Sequence, residues 1–235
     1  MAYPENPKNI IIKNKYYPDG LREIDSWDYY HRYRRSRILE QTQGRDLMLL
    51  VMVDINKPVI LRKGKTTQFI RLNNSNYDDV MHGRVITVYS TMKRSEDIAI
   101  IDIDSDDFKK GLLAALRTYE FVMDKVPIIR GAQIRYTGKT GFHIYCNLVR
   151  KINVDSIRLL FRKFLLESNL SNVYTVSHKR TVGIPNLDLS PNKYNGAYIT
   201  LHSLSVWGLK CMEVDHGDLL SFNPYKAKIL LSKIK

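Results

Sequence analysis

Two aspartates end an apolar run near the middle of the chain. Residues 98–104 read Ile-Ala-Ile-Ile-Asp-Ile-Asp, a short β-branched pattern that predicts a mostly buried strand. Because side chains alternate along a strand, Asp102 and Asp104 should share one face. Two such carboxylates repel each other unless a cation bridges them, and their hard oxygen atoms suit Mg²⁺ or Mn²⁺. The alternative is that the strand ends at Ile103 and that the acids after it are solvated charges at the start of a helix. An Asp-x-Asp pattern by itself favours this alternative.

A glycine-containing turn lies just before another alternating segment. The turn, residues 137–141, offers backbone N–H groups, a hydroxyl and an ammonium group, and its glycines let an anion approach the backbone closely. The segment 142–148 alternates as a strand does and carries a histidine. Together they predict a cradle for a triphosphate; the alternative is a plain β-hairpin turn with a partly exposed histidine. The candidate nucleotide-binding residues here are Thr137, Gly138, Lys139, Gly141 and His143.

A third acid stands alone in an apolar setting. Residues 186–190 read Asn-Leu-Asp-Leu-Ser, with Asp188 at the centre. A pair of metal ions usually needs a further carboxylate, and Asp188 is the best candidate for it. An aspartate in a surface turn is the competing explanation.

The region 98–176 alternates strand and helix patterns. Strands are predicted at 98–104, 133–136, 142–148 and 173–176, and helices after N-caps at Ser105 and Asp155. The apolar stripe expected on the first helix is Phe108, Leu112, Leu116, Tyr119 and Met123. This β-α-β-β-α-β order predicts an α/β (α+β) fold with a ferredoxin-like or RRM-like sheet of strand order 4-1-3-2. Strands 1 and 3 would then be neighbours, and His143 would share the open face with the aspartates.

The composition points to a polyanionic partner. The chain has 235 residues, with 37 Lys and Arg against 24 Asp and Glu, so its formal net charge is +13. The two cysteines show no Cys-x-x-Cys spacing, which excludes a cysteine-based zinc site and suggests a reducing compartment. We expect no signal peptide, no membrane helix and a cytoplasmic location.

The chain changes character near residue 95. We expect one domain over 1–235, made of a basic, aromatic α/β module in 1–95 and a second module with a C-terminal extension in 96–235. The basic residues of the first module should track a nucleic-acid backbone, whereas the alternative is that they lie on solvated helix or loop faces. They are Lys15, Arg32, Arg34, Arg35, Arg62, Lys63 and Lys65.

These motifs, taken in order, resemble a known family. Asp102-Ile-Asp104, the segment from Thr137 to His143, and Leu187-Asp188 are similar to the three motifs of the archaeo-eukaryotic primase superfamily. The resemblance covers most of the chain. Within the superfamily, the chain resembles above all the polymerase domain of bacterial ligase D and the stand-alone archaeal end-joining polymerases. Further matching segments are Lys15–Gly20, Asp28–Tyr30, Gly44–Leu47, Asn192, Gly196, Ser203–Leu204 and Gly208–Leu209.

The resemblance implies a primase-polymerase, a template-dependent nucleotidyltransferase that adds ribo- or deoxyribonucleotides to the 3′-hydroxyl of a DNA primer. Such enzymes act in replication priming or in end-joining and gap-filling repair. The implied ligands of two Mg²⁺ or Mn²⁺ ions are Asp102, Asp104 and Asp188. Thr137 and His143 would hold the phosphates of the incoming nucleotide, and Ser203 would lie near the same triphosphate. A ligase, a helicase or an end-binding protein is expected as a separate partner.

Some positions depart from the family pattern. Thr137 replaces a serine but keeps the hydroxyl, and Ser105 replaces a proline. Ser205 stands where the family has the arginine of Ser-x-Arg. One phosphate contact is therefore lost, or is supplied by Lys179 or Arg180.

The biological role stays open. Arg22-Glu23 replaces the Thr-Lys pair of the family, whose lysine recognises a 5′-phosphate at a gap. The sequence is therefore as compatible with a replicative or damage-tolerant enzyme, including a viral one, as with an end-joining enzyme. Two other classes of function also stay open. One is a non-catalytic nucleic-acid-binding module with a primase-like fold, and the other is a metal-dependent nuclease, which needs the acids but no triphosphate cradle.

Overall fold

A computed structural model of the chain describes residues 4, 6–63, 68–168, 170–177 and 183–232. The chain forms two compact units. Unit 1 comprises Met1–Ser90, Ile199–Cys211 and Asn223–Lys235, and unit 2 comprises Thr91–Tyr198 and Met212–Phe222. The sequence pattern assigned everything after residue 95 to one module, whereas two later segments group with the first 90 residues.

Unit 1 begins with a hairpin and a broken helix. Its elements in chain order are β1 (Ile10–Asn14), β2 (Tyr17–Arg22), α1 (Glu23–Asp28), a π-helix (Tyr29–Arg34), α2 (Arg35–Thr42), β3 (Leu47–Asp54), β4 (Lys57–Leu61), α3 (Tyr77–Val80) and β5 (Val85–Thr91). Strand β3 pairs antiparallel with both β4 and β5. It reads Leu-Met-Leu-Leu-Val-Met-Val-Asp, a nearly continuous apolar run that is typical of a strand buried on both faces.

Unit 2 is built on a six-stranded sheet. Its elements are β6 (Ser95–Asp104), α4 (Phe108–Lys125), β7 (Ile129–Tyr136), β8 (Phe142–Asn153), α5 (Val154–Leu166), β9 (Thr175–Val176) and β10 (Asn186–Asp188). Strand β11 (Ala197–Ile199) leads out of the unit, and β12 (Met212–Val214) returns to it. The strand order is β12-β7-β8-β6-β10-β9. All pairs in this sheet are antiparallel except β10 with β9.

The predicted strand order 4-1-3-2 is wrong at one side of the sheet. Strands β6 and β8 are neighbours, as the pattern predicts. The predicted fourth strand, β9, does not pair with β6, because β10 lies between them. Strand β10 has only three residues, too few to show a period in the sequence, and it was interpreted as an isolated acid in an apolar setting.

The two helices of unit 2 also start differently from the prediction. Helix α4 is capped by Asp107, whose side chain accepts a hydrogen bond from the Lys110 amide, whereas Ser105 donates its hydroxyl to Asp107 O. Helix α5 is capped by Asn153, which accepts from the Asp155 amide, so Asp155 is not the cap. In both cases an Asx side chain just before the first helical residue provides the cap.

The buried face of α4 is rotated away from the predicted stripe. Met123 is 43% exposed, and Leu116 and Tyr119 are only half-buried. The face that packs on the sheet consists of Gly111, Leu112, Ala114, Ala115, Thr118 and Val122. Small side chains allow the helix to approach the strands closely, a feature that a count of large apolar residues does not reveal. Within the described ranges, no helix is long and apolar enough to span a membrane.

Candidate active site

A row of polar side chains crosses five strands of unit 2. Each member of the row is the direct cross-strand partner of the next, and such partners have their side chains on the same face of a sheet. The row reads Asp188 on β10, Asp102 on β6, His143 on β8, Arg135 on β7 and Glu213 on β12. The sheet therefore gathers residues that lie far apart in sequence.

Strand β6 fixes the first two aspartates. Its other face is apolar and fully buried through Ile101 and Ile103, so alternation places Asp102 and Asp104 on the polar face. The side chain of Asn192 holds the strand in place, because its amide groups bond both the N–H and the C=O of Ile100. The strand continues through Asp104, so the alternative in which it ends at Ile103 is wrong.

His143 lies beside Asp102, as the alternation predicts. The imidazole Nε2 is 3.3 Å from Asp102 Oδ1, and the His143 side chain is buried while that of Asp102 is 29% exposed. The histidine thus stands between the acids and the next strand, with its ring fixed against a carboxylate. Such a contact orients the imidazole and favours a proton on Nε2.

Asp188 is part of a strand and not of a surface turn. Its Cα is paired with that of Asp102, and Asn186 is paired with Asp104 in the same register. The carboxylate of Asp188 accepts two hydrogen bonds from Ser190, at 2.7 Å from the amide and 2.6 Å from the hydroxyl. The third predicted acid is therefore brought to the row, with its carboxylate turned to Ser190 in this structure.

The acids fit a divalent cation by chemical type. Like-charged residues directly opposite each other destabilise a sheet, and Asp102 and Asp188 are such a pair, both partly exposed. Carboxylate oxygens are the donors that Mg²⁺ and Mn²⁺ prefer. Among the residues that the structure describes, no three His, Cys, Asp or Glu side chains are already gathered closely enough to hold an ion. Binding at this place would require the carboxylates to turn.

The turn between β7 and β8 is tightly anchored. The Thr137 amide bonds Gly141 O at 3.2 Å, and the Tyr136 hydroxyl bonds Lys139 O at 2.7 Å. Gly138 has a φ of +92°, and a Cβ on Gly141 would lie 2.8 Å from Ile103 O, so both positions require glycine. The turn therefore lies directly against the end of β6, the strand that carries the two aspartates. The Lys139 side chain is exposed.

Arg135 is a member of the row that the sequence analysis missed. Its side chain is 5% exposed, its guanidinium carbon lies 3.6 Å from the centre of the Tyr145 ring, and one terminal nitrogen bonds Gln133 at 2.7 Å. Glu213 Oε1 lies 3.7 Å from the same nitrogen, and Arg135 Nε is buried without a hydrogen-bond partner in the part of the chain that the structure describes. The signal that could have identified it is the period of two across residues 133–136, which puts Arg135 on the face of His143.

Ser203 belongs to unit 1 and has no exposed surface. Its hydroxyl oxygen accepts from the Val88 amide at 2.6 Å, donates to Leu204 O at 3.3 Å and lies 3.2 Å from the Tyr30 hydroxyl. Burial raises the pKa of Tyr30 well above its ordinary value, so that phenol stays a neutral donor. The hydrogen bonds of Ser203 are thus made inside the unit, and its predicted contact with the triphosphate stays a prediction.

The predicted backbone-tracking residues are not equivalent. Arg32 pairs with Asp28 at 2.8 Å, and Arg35 forms an ion pair with Asp78, so both carry carboxylate partners. Arg34 has a different environment, described below. Arg32 is nevertheless exposed, as are Lys15, beside the rings of Tyr16 and Trp207, and Arg62 and Lys63. Lys65, Lys179 and Arg180 lie outside the described residues.

Comparison with known proteins gives a fold relation only. No family model matches the chain, and no curated protein matches its sequence. A solved structure, the polymerase domain from Mycobacterium tuberculosis ligase D in complex with DNA, is similar with a TM-score of 0.74 at 12% sequence identity. The similarity covers 93% of this chain and 88% of that chain. The mixed α+β fold of this protein is thus similar to that of a polymerase domain.

Proposed function

We propose that the protein is a template-dependent nucleotidyltransferase, a DNA primase or polymerase that adds nucleotides to a 3′-hydroxyl. The observation that carries the proposal is the cross-strand row in which Asp188, Asp102 and His143 are consecutive partners on one sheet face. Three scattered motifs meet there, next to a glycine turn. The similar polymerase fold supports the same reading.

Asp102, Asp104 and Asp188 are proposed to hold two Mg²⁺ or Mn²⁺ ions. Ions of this kind, when bound, lower the pKa of a 3′-hydroxyl and offset charge on a triphosphate. The role of the protein is to concentrate carboxylates at one point of a rigid sheet. Asp102 and Asp104 are positioned by β6, and Asp188 would have to turn away from Ser190 to join them.

The residues beside the acids are proposed to bind the nucleotide's phosphates. Once Asp102 turns towards an ion, the Nε2–H of His143 is free to donate a hydrogen bond to a phosphate oxygen, so that His143 acts as a positioning group and not as a base. The turn from Thr137 to Gly141 contributes a hydroxyl, backbone N–H groups and the exposed ammonium of Lys139. The buried charge of Arg135 adds a fixed positive potential one strand away from His143.

The template and primer are proposed to bind through exposed cations. The formal net charge of +13 gives a general attraction for nucleic acid, and Lys15, Arg62 and Lys63 are exposed. The similar polymerase domain was solved in complex with DNA. Contacts of this type carry little sequence information, as a polymerase requires.

The local structure around Glu23 bears on the biological role. Glu23, in the position where the family has a lysine, is 4% exposed and pairs with Arg84 at 2.7 Å. Its neighbour Arg22 bonds Asp25 and Ser232 O. Neither residue offers a free cation for a 5′-phosphate, so we propose synthesis that does not depend on such a contact, as in priming or general extension.

The test is primer extension with Mg²⁺ or Mn²⁺. Asp102→Asn should reduce incorporation by about 10³-fold, because several kcal/mol of charge stabilisation are lost. Asp188→Asn should have a comparable effect, whereas Ser190→Ala should preserve activity. The matched control is Asp124→Asn, an exposed aspartate of α4 that pairs only with Lys125 among its described neighbours.

Full incorporation by folded Asp102→Asn protein would contradict the proposal. Running unprimed, primed and gapped templates in parallel, with ribo- and deoxyribonucleotides, would identify the reaction. DNA binding without incorporation, unaffected by either aspartate, would indicate a binding module instead. Degradation of the labelled primer, with no protection of the protein by nucleotides against thermal unfolding, would indicate a nuclease.

A further inference from the structure

The π-helix of unit 1 ends at an arginine of the basic run. A π-turn inserts an extra residue into the helical repeat, and such insertions often occur at functional sites. This one ends at Arg34, whose φ of −130° and ψ of −1° interrupt the helix before α2 begins. The backbone irregularity therefore falls on Arg34 itself.

Arg34 also differs from its neighbours in its partners. Arg32, Arg35 and Arg37 each form an ion pair with a carboxylate. In the part of the chain that the structure describes, Arg34 forms none. Its guanidinium lies over the Tyr29 ring, 5.8 Å from the centre, and hydrogen-bonds the Tyr29 side chain, but its Nε is buried without a hydrogen-bond partner among the described residues. A buried guanidinium N–H without an acceptor is costly, and it marks a place where an acceptor is missing.

A second cation of unit 1, Lys210, interacts electrostatically with Arg34. Lys210 is half-buried, and its backbone is fixed by a bond from its amide to Ala227 O at 2.8 Å and by a bridge to Leu204. Burial and, secondly, the charge of Arg34 hold the pKa of Lys210 below its usual range. The two positive groups thus repel each other, and no carboxylate among the described residues forms an ion pair with Lys210.

The surroundings keep the two cations in place. The Tyr29 ring supports the guanidinium of Arg34, and the Tyr29 hydroxyl donates to His202 O at 2.7 Å. The His202 amide in turn bonds Cys211 O, next to Lys210. These bonds fix the backbone beside Lys210 and the ring beside Arg34, and an anion bound by both cations would relieve their repulsion.

We propose that Arg34 and Lys210 together form a binding site for a phosphate group. The guanidinium supplies directed N–H donors, including the Nε that has no acceptor, and the ammonium supplies a second charge. The phosphate can belong to a nucleic-acid strand, to its 5′-end or to a nucleoside triphosphate. The site does not depend on the polymerase proposal, because phosphate binding can be measured without any turnover.

The test compares Lys210→Met with Lys226→Met in the full chain. Lys226 is an exposed lysine of unit 1, so both variants lose the same formal charge. The probes are inorganic pyrophosphate, a nucleoside triphosphate, and a single-stranded oligonucleotide with or without a 5′-phosphate. Lys210→Met should weaken binding of at least one probe by about tenfold, the size of one charge-assisted contact, while Lys226→Met should have little effect.

The probe that loses affinity identifies the source of the phosphate. A selective loss with the triphosphate indicates the nucleotide, a loss with both oligonucleotides indicates the strand backbone, and a loss with only the 5′-phosphorylated oligonucleotide indicates the terminal phosphate. For the backbone, the slope of log affinity against log salt should also fall by about one.

A stability measurement provides the second readout. Without ligand, Lys210→Met should raise the midpoint of thermal unfolding, because it removes the repulsion from Arg34 and keeps a side chain of similar length. Arg34→Gln should weaken the same probe as Lys210→Met, and Arg37→Gln is its exposed control. Unchanged affinity for every probe in folded Lys210→Met and Arg34→Gln proteins would overturn the site, even if primer extension is confirmed.

Discussion

His143 in unit 2 and Ser203 in unit 1 are both polar, buried and derived from motifs predicted to contact phosphate, yet their surroundings differ. Ser203 bonds backbone groups of β5 and of its own loop, so its hydroxyl serves the fold. His143 stands in a row of charged side chains, beside Asp102 and one strand from Arg135. Burial alone therefore does not separate polar residues that support the fold from candidates for ligand binding. The partners of the buried side chain separate them.

Arg135, the neighbour of His143 in the row, tests this difference most directly. Arg135→Gln removes a buried charge from the row and should lower kcat/KM for nucleotide by about 100-fold, because hydrogen bonds to charged groups contribute about 1.5–3 kcal/mol. Arg130→Gln, on the same strand but exposed, is the control and should be nearly neutral. Steady-state kinetics on a primed template measures both, and equal activities would mean that the row is structural at Arg135.

Ser203→Ala should show the opposite pattern. Removing the hydroxyl leaves the buried Val88 amide without its acceptor, which should reduce the free energy of unfolding by about 1–3 kcal/mol. The KM for nucleotide should stay unchanged, because the hydroxyl has no exposed surface. Urea unfolding and kinetics on the same preparation separate the two effects. A raised KM with unaltered stability would return Ser203 to the ligand set.

A smaller, pH-dependent effect is expected from the tyrosines of unit 1. Burial, opposed by a hydrogen bond from the Ile229 amide, raises the pKa of Tyr17 to about 12. Because the folded form holds the proton more tightly than the unfolded form, its stabilising effect is complete below pH ~10 and is lost as the pH rises towards 12. Stability should therefore fall by up to about 1.4 kcal/mol per pH unit in that window.

Tyr17→Phe isolates this contribution. The variant loses the hydrogen bond to Gly208 O, which lowers its stability at neutral pH. Above pH ~10, its free energy of unfolding should fall less steeply with pH than that of the wild type. Denaturant titrations at pH 9, 10 and 11 measure the difference. Parallel slopes for the two proteins would show that Tyr17 does not titrate in unfolding. A parallel loss of catalytic activity over the same pH range would indicate that Tyr17, a residue of unit 1, also affects catalysis.

The sequence predicted the parts of the site that follow from local periodicity. Alternation along β6 and β8 was enough to place Asp102 and His143 on one face, and these strands are neighbours as expected. Strand β10 could not be predicted, since three residues carry no period and its place between β6 and β9 is decided by pairing across the chain. Hence Asp188 was identified by residue type alone.

Other features depended on details that propensity does not carry. The pattern of residues 133–136 identifies the strand that carries Arg135, but not the residues paired with it across the sheet, His143 and Glu213. Asp107 caps α4, although Ser105 is an equally good cap by residue type. The Ser105 hydroxyl donates instead to Asp107 O. Helix α4 packs through Gly and Ala, so its large apolar residues predicted the wrong face.

The position of β10 also affects the order in which the cross-strand row is assembled while the chain is synthesised. Asp102 and Asp104 leave the ribosome early, with β6, and His143 follows with the next hairpin. Asp188 is made last and must insert its short strand against β6, a pairing of long sequence separation that forms slowly. A nascent chain therefore carries Asp102, Asp104 and His143 before Asp188, and the cross-strand row is complete on this side only after β10 has paired with β6.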